Sequence, residues 1–121
     1  DSYNANPESV KAALDHLSCF KKYRKIFVFG DMKELGDNKE SFHSEIGQYA
    51  DGKTDILFTI GKLAKNAQSN SNNFALSLHF NDNFSLLEKL TELLTDGDII
   101  LIKGSRSMQL DQLINELKNV K

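Results

Sequence analysis

The stretch that decides the fold runs from residue 98 to residue 110 and reads Asp-Ile-Ile-Leu-Ile-Lys-Gly-Ser-Arg-Ser-Met-Gln-Leu. An unbroken apolar run, residues 99–102, ends at a polar segment, residues 103–106, and apolar residues at helical spacing begin at Leu110. The pattern predicts a buried strand, a polar turn and a helix. Ligands of open α/β sheets bind where strands end and helices begin, so this turn is a candidate anion site. The alternative is a solvated turn whose basic residues only keep the surface soluble.

The same strand-then-turn pattern recurs along the chain. Residues 25–30 and 55–61 are apolar runs that end in glycine and indicate buried parallel strands. Residues 74–80 alternate large apolar with small or polar side chains, which is typical of a half-exposed strand near a sheet edge. Helical patterns follow, including a short one at residues 62–69, and one at residues 10–20 precedes the first strand. The predicted fold class is α/β: a three-layer, Rossmann-like domain whose mainly parallel sheet has helices on both faces.

Local signals predict where the helices begin. Asn6 stands directly before a proline and is a candidate cap for a helix that starts at about residue 7. Asp37 or Asn38 is the candidate cap of the next helix, where Asp37 with Glu40 approximates a capping box, and Ser85 with Glu88 has the same spacing. Each pair predicts the first turn of a helix.

Composition limits the classes of function. The 121 residues suffice for one domain, and 15 basic against 17 acidic residues give a net charge of -2 without a block of either sign. This argues against a nucleic-acid-binding or membrane-surface protein. No apolar segment approaches the roughly 18 residues of a membrane span. The single cysteine, Cys19, cannot form an internal disulfide, which favours a reducing compartment and hence the cytoplasm.

Standard catalytic and phosphate-binding motifs are missing from the sequence. No Gly-x-Gly occurs, and Gly61-Lys62 lacks both the earlier glycine and the following Ser or Thr of a Walker loop. His16, His43 and His79 have no zinc-type spacing, so structural or surface roles are favoured and no metal ligand is predicted. Cys19 has no evident base beside it. Chemistry must therefore be inferred from position.

Four polar segments follow the carboxyl end of a predicted or missing strand. They are residues 1–6, 30–36, 61–62 and 103–106. Because the carboxyl ends of parallel strands lie at one edge of a sheet, we expect these segments to converge there and to form the binding face.

Four motifs, in their order and spacing, resemble the C-terminal domain of the bacterial Mur ligases. They are Asp-Ser-Tyr-Asn-Ala-Asn-Pro-Glu-Ser (1–9), Gly-Asp-Met-Lys-Glu-Leu-Gly (30–36), His43 with Ile46-Gly47, and Lys-Gly-Ser-Arg-Ser-Met (103–108). The resemblance extends to about residue 118, and it is to the branch that adds D-alanyl-D-alanine to UDP-N-acetylmuramoyl-tripeptide. It implies that residues 1–121 are an acceptor-binding domain, and that the family's N-terminal UDP-substrate domain and central ATP-binding domain are absent.

The resemblance also implies a reaction in peptidoglycan precursor synthesis. ATP phosphorylates the carboxylate of the UDP-muramoyl peptide, and the amine of D-alanyl-D-alanine attacks the acyl phosphate. ATP and Mg²⁺ are bound mainly by the missing central domain, so this domain alone is expected to be inactive. The implied partners are UDP-N-acetylmuramoyl-tripeptide, D-alanyl-D-alanine, ATP and the protein's own central and N-terminal domains, with no nucleic acid and no membrane insertion.

Roles for nine residues follow from the same resemblance. The nucleotide-binding residues are Asp1, Tyr3, Asn4 and Asn6. The catalytic-loop residues, which face the reacting groups, are Lys33 and Glu34. The substrate-binding residues, which help to hold the acceptor, are Lys103, Ser105 and Arg106. The types suit these roles, since a carboxylate can accept from ribose hydroxyls and a guanidinium can pair with a carboxylate. For Lys33 a purely structural role is the alternative.

Two other interpretations stay open at this point. The chain could be a free-standing Rossmann-like binding module without ligase activity. It could also come from a sister Mur ligase that adds another amino acid, although residues 31–36 and 103–106 favour the D-alanyl-D-alanine branch.

Overall fold

The computed structural model describes residues 6–33, 35–68 and 73–105. Its four strands are β1 (Arg24–Gly30), β2 (Ile56–Ile60), β3 (Leu76–Phe80) and β4 (Asp98–Lys103). They form one sheet in the order β3-β2-β1-β4, and every pairing is parallel. The α/β prediction is confirmed. The last predicted helix, which begins at Leu110, lies outside the described residues.

The register explains why β1 is buried along nearly its whole length. β1 lies between β2 and β4, so that Val28 faces Phe58 on one side and Ile102 on the other. All but the first of its residues are buried. β3 lies at the edge beyond β2, and all of its residues are half-buried, as the alternating sequence predicts.

Helices cover both faces of the sheet and give the three predicted layers. The helices are α1 (Pro7–Ser18), α2 (Lys39–Ala50), α3 (Asn83–Leu93) and a 3-10 helix at Ala64–Gln68. Phe27 and Phe29 pack against α1, α2 and the 3-10 helix, whereas Ile26 and Val28 pack against α3. Alternate residues of one strand therefore build two separate cores. No helix in the described part of the chain is long and apolar enough to cross a bilayer.

The first helix begins where the sequence predicts. The Asn6 side chain accepts the N–H of Ser9 at 3.0 Å, and the Ser9 hydroxyl accepts the N–H of Asn6 at 3.1 Å. This reciprocal pair is a capping box with serine at its third position.

The two predicted capping boxes do not form. A short 3-10 turn, Gly36–Asn38, takes Asp37 into the helical segment, and the other candidate, Asn38, is the N-cap residue of α2 but makes no side-chain capping bond. For α3 the cap is Asp82, whose carboxylate accepts the N–H of Ser85 at 2.7 Å. This bond to the Ser85 backbone lowers the pKa of Asp82. A charged acceptor at the positive end of the helix starts α3 three residues earlier than the predicted Ser85 cap.

The predicted helix at residues 62–69 is the 3-10 helix Ala64–Gln68. It follows Gly61, whose backbone φ of 104° is one that residues other than glycine rarely adopt. It packs directly on α2 at Gly47, where an added Cβ would lie 2.1 Å from the Ala67 carbonyl oxygen. The glycine therefore permits the contact between the two backbones.

Candidate functional site

The loops that follow β1, β2 and β4 are bonded to one another at the carboxyl edge of the sheet. The Ser105 N–H donates to the Asp31 carbonyl at 2.8 Å, and the Lys33 N–H donates to the Ser105 hydroxyl, also at 2.8 Å. The Asp31 carboxylate accepts the N–H of Ala64 at 2.7 Å. We call Asp31, Lys33, Ala64 and Ser105 the edge cluster. It confirms that the described parts of segments 30–36 and 103–106 converge at one edge, through Asp31, Lys33 and Ser105.

Asp31 is the organising residue that the sequence did not single out. Its carboxylate is buried, and an added Cβ on Gly61 would lie 2.4 Å from its Oδ1 atom. A glycine at position 61 is therefore what lets the carboxylate reach the loop after β2. The signal that could have identified Asp31 is an acidic residue directly after a buried, entirely apolar strand.

His43 lies beneath the edge cluster and bonds to Met32, the residue between Asp31 and Lys33. Its ring is fully buried; Nε2 accepts the Met32 N–H at 3.0 Å, and Nδ1 lies 2.5 Å from the Lys39 carbonyl oxygen. Burial lowers the pKa of His43, against the opposing effects of the Lys39 carbonyl and the Asp31 carboxylate. The structural role predicted for this histidine is confirmed.

Lys33 combines a fixed backbone with an exposed side chain. Its N–H is held by Ser105, while its ammonium makes no hydrogen bond or ion pair with any other described residue. A cation is thus presented at the edge where ligands of parallel sheets bind. The catalytic role of Lys33 stays a prediction.

Lys103 and Ser105 do not belong to a solvated turn. Each is only 6% exposed, and Lys103 is the last residue of β4, paired with Phe29. The Ser105 hydroxyl already accepts the N–H of Lys33. Both residues are therefore built into the edge cluster or the strand beneath it, and their substrate-binding roles stay predictions.

The remaining predicted site residues are only partly covered by the structure. Asn6 is exposed, and its side chain caps α1. The predicted residues outside the described part of the chain are Asp1, Tyr3, Asn4, Glu34 and Arg106. Nucleotide binding at this end thus stays a prediction.

The described residues do not offer a metal site. Among them, no three His, Cys, Asp or Glu side chains lie close enough together to hold an ion.

Comparison with known proteins identifies the family. The family model described as "Mur ligase, glutamate ligase domain" matches residues 1–106. The UDP-N-acetylmuramoyl-tripeptide--D-alanyl-D-alanine ligase of Bacillus subtilis is 39% identical over 97% of this chain. The chain spans 27% of the length of that relative.

Two solved structures share the fold. The MurF ligase of Thermotoga maritima, in complex with ADP, superposes with a TM-score of 0.84 at 26% identity, over 99% of this chain and 27% of its own. A domain from a putative UDP-N-acetylmuramate:L-alanyl-gamma-D-glutamyl-meso-diaminopimelate ligase of Haemophilus ducreyi superposes with a TM-score of 0.70 at 15% identity. The match covers 98% of this chain and 87% of that domain, so the two share one fold over almost their whole lengths. The motifs, the parallel sheet and these matches together place the chain in the Mur ligase family, as its C-terminal domain.

Proposed function

We propose that this chain is the C-terminal domain of an ATP-dependent ligase that joins D-alanyl-D-alanine to UDP-N-acetylmuramoyl-tripeptide. The observation that carries the proposal is the alignment of almost the whole chain with a Bacillus subtilis ligase named for that reaction. The ADP in the Thermotoga maritima relative supports a nucleotide-dependent step. The product would be a peptidoglycan precursor made in the cytoplasm.

The proposed division of labour leaves ATP and Mg²⁺ to the other domains. The described residues carry neither a phosphate loop nor a group of metal ligands. We infer that a central domain binds the triphosphate and the metal, that an N-terminal domain binds the UDP-substrate, and that this domain alone has no ligase activity. When bound, the metal and triphosphate would supply activation of the substrate carboxylate as an acyl phosphate.

The contribution of this chain is to position groups at the reacting centre. The edge cluster fixes the backbone of Lys33, so that its ammonium projects from a rigid support. A cation there would stabilise negative charge that develops on the acyl phosphate when the acceptor amine attacks. Arg106, directly after Ser105 in sequence, would pair with the acceptor carboxylate through its planar guanidinium.

The deciding experiment uses the intact protein and measures ADP release. We expect release that requires both UDP-N-acetylmuramoyl-tripeptide and D-alanyl-D-alanine. Release with a single amino acid as acceptor, but not with the dipeptide, would identify a sister Mur ligase. No release with any acceptor would support a binding module instead.

Variants assign the roles within the ligase. We expect Lys33→Met to lower kcat by roughly tenfold or more, because loss of one charge that stabilises the transition state costs about 1.5 kcal/mol or more. Lys22→Met is the matched control, since Lys22 is an exposed lysine before β1, at the opposite edge of the sheet.

Arg106→Ala should raise the KM for D-alanyl-D-alanine by roughly ten- to hundredfold with little effect on the KM for ATP, and Arg106→Lys should not restore the KM for the dipeptide. Unchanged dipeptide kinetics with a lower Tm would make Arg106 structural.

A further inference from the structure

A polar pocket adjoins the edge cluster at Ala64, between the 3-10 helix and the edge strand β3. Its volume is about 510 Å³. Its lining residues are Lys62, Lys65, Asn66, Gln68 and His79. The lining contains two cations and no carboxylate, although the chain as a whole has slightly more acidic than basic residues.

The two lysines of the pocket lack anionic partners. Lys62 and Lys65 are exposed, and neither makes an ion pair or side-chain hydrogen bond with another described residue. The pocket thus concentrates positive charge that no described residue neutralises by an ion pair.

A chain of hydrogen bonds beneath the pocket determines which ring nitrogen of His79 carries the proton. The Ser77 hydroxyl donates to Oε1 of Gln68, and the Leu78 carbonyl, which can only accept, assigns Nε2 to the other side of the amide. Nε2 of Gln68 then donates to the Leu78 carbonyl and to the Thr59 hydroxyl, at 2.9 Å each. The amide is therefore fully used by its neighbours and acts as a rigid support.

The Thr59 hydroxyl connects the Gln68 amide to the His79 ring. The Thr59 side chain is fully buried, and its hydroxyl lies 2.8 Å from Nδ1 of His79. Among the described residues that nitrogen is the one acceptor within reach of the Thr59 proton, so the hydroxyl donates to Nδ1. Nε2 must then carry the hydrogen of the neutral ring, and His79 lines the pocket.

The charge state of His79 agrees with this assignment. Burial and the Lys65 ammonium lower the pKa of His79, and the Asp31 carboxylate opposes them. The ring is therefore neutral at pH 7 and offers one N–H rather than a second positive charge.

We propose that this pocket is an oxyanion-binding site, in which the ammonium groups of Lys62 and Lys65 and the Nε2–H of His79 hold a carboxylate or a phosphate group of a ligand. All three groups are donors, and none of them has a protein acceptor among the described residues. The proposal is independent of the proposed ligase function, because it rests on the pocket alone.

The test uses the 121-residue chain labelled with ¹⁵N, since a domain of the same fold has been solved separately. Inorganic phosphate and acetate are titrated in turn at pH 7, with ionic strength held constant by KCl because surface charges are screened by salt. We expect saturable shifts of the Lys62 and Lys65 amides and the His79 ring, with a dissociation constant on the order of millimolar for so small an ion. Saturation by phosphate alone indicates a phosphate-bearing ligand, and equal saturation by acetate indicates a carboxylate.

Matched variants make the test specific. Lys62→Gln and Lys65→Gln should each weaken binding by roughly three- to tenfold, whereas Lys22→Gln should not change it. The ring nitrogen shifts of the free protein should report the Nε2–H tautomer, and Thr59→Val should shift that tautomer and weaken binding. Lack of saturation with both anions would overturn the proposal. So would equal effects of Lys22→Gln and the pocket variants, or an Nδ1–H tautomer in the free wild-type chain.

Discussion

The backbone N–H of Met32 donates to Nε2 of His43 at 3.0 Å, across the buried face beneath the carboxyl edge of the sheet. Because Nε2 accepts this hydrogen, the neutral ring must carry its own hydrogen on Nδ1, which lies 2.5 Å from the Lys39 carbonyl oxygen. The histidine thereby connects the start of α2 to the loop after β1. Protonation of the ring would replace an acceptor with a second donor at Met32.

The His43 contact predicts a pH-dependent stability. Burial lowers the pKa of His43 in the folded state. Above about pH 6.5 the histidine is neutral in both the folded and the unfolded chain. Below about pH 6.5 the unfolded chain binds more protons at this site than the folded chain. The free energy of unfolding therefore falls as pH falls, by at most about 1.4 kcal/mol per pH unit for one histidine. Urea unfolding at a series of pH values from about 7.5 to about 5 measures this slope.

The variant that tests this contribution is His43→Gln, whose amide oxygen can still accept from Met32 but does not titrate. We expect a shallower slope below about pH 6.5 than in the wild type. His79 acts in the same direction, because burial also lowers its pKa, so part of the slope should remain. Gln48→Ala on the exposed side of α2 is the control and should keep the wild-type slope. An identical slope in His43→Gln would contradict the assignment.

A second prediction concerns the ion pair at the opposite, amino edge of the sheet. The Arg24 guanidinium donates to both carboxylate oxygens of Asp98, at 2.9 and 2.6 Å, and to the Leu93 carbonyl. The Asp98 side chain is only 4% exposed, and the Arg24 hydrogen bond lowers its pKa. We expect Asp98→Asn to cost about 1–3 kcal/mol at pH 7 by urea unfolding, since a charge-assisted forked pair is lost.

The pH dependence and the control follow from the same pair. A lowered carboxyl pKa contributes stability that is present above the usual range of about 3.9 and is lost as pH falls through the folded-state value, so the cost of Asp98→Asn should shrink below about pH 4. Glu92→Gln breaks the exposed contact with Lys89 and should cost less than about 0.5 kcal/mol. Equal costs for the two variants would show that the Arg24–Asp98 pair stabilises the fold no more than an exposed ion pair does.

The strands could be predicted from the sequence because their signal is local. β2, Ile56–Ile60, lies within the predicted run at residues 55–61, since a continuous apolar run that ends at a glycine has few alternatives. The half-exposed β3 was recognised from its alternation. The cap of α2 could be predicted only as a choice between Asp37 and Asn38, and the cap of α3 not at all, because the choice between Asp82 and Ser85 depends on where the chain leaves the sheet.

The candidate site could be predicted only as a location. Parallel strands bring their carboxyl ends to one edge, so the convergence of residues 30–36 and 103–106 follows from fold class alone. The contacts within the site do not follow from fold class. Lys33 and Ser105 are 72 positions apart, and Asp31 reaches Ala64 only because β1 lies between β2 and β4. The burial of Lys103 and Ser105 likewise depends on this order, which local sequence does not encode.

A third prediction sets helix propensity against packing at Gly47. Alanine is favoured over glycine within a helix by roughly 1 kcal/mol, so an exposed position would gain stability from Gly→Ala. At Gly47 the added Cβ would lie 2.1 Å from the Ala67 carbonyl oxygen, which is backbone and cannot rotate away. We expect Gly47→Ala to destabilise the domain by about 1–3 kcal/mol, as the Ala64–Gln68 helix is pushed off α2.

Matched substitutions distinguish the clash from a general effect of glycine. Gly52→Ala meets no atom within 4 Å, so it should show only the strain of its φ of 87°. Thermal unfolding with far-ultraviolet circular dichroism measures all three chains. A higher Tm for Gly47→Ala than for wild type would mean that the backbone approach of α2 to the 3-10 helix is looser than described.

The last prediction isolates the role of the Ser105 hydroxyl in the edge cluster. Because this hydroxyl accepts the Lys33 N–H at 2.8 Å, Ser105→Ala should leave that donor without its partner and cost about 1–2 kcal/mol. Native-state hydrogen exchange is the sharper measurement, since the Lys33 amide should exchange at least roughly tenfold faster beyond any global change. The Val28 amide in the centre of β1 reports that global change, and Ser41→Ala, whose exposed hydroxyl bonds only within its own helix turn at Asn38, is the control. If Lys33 exchange follows Val28 in both variants, the hydroxyl does not hold the loop, and the predicted contact of Ser105 with the acceptor becomes the better account of that residue.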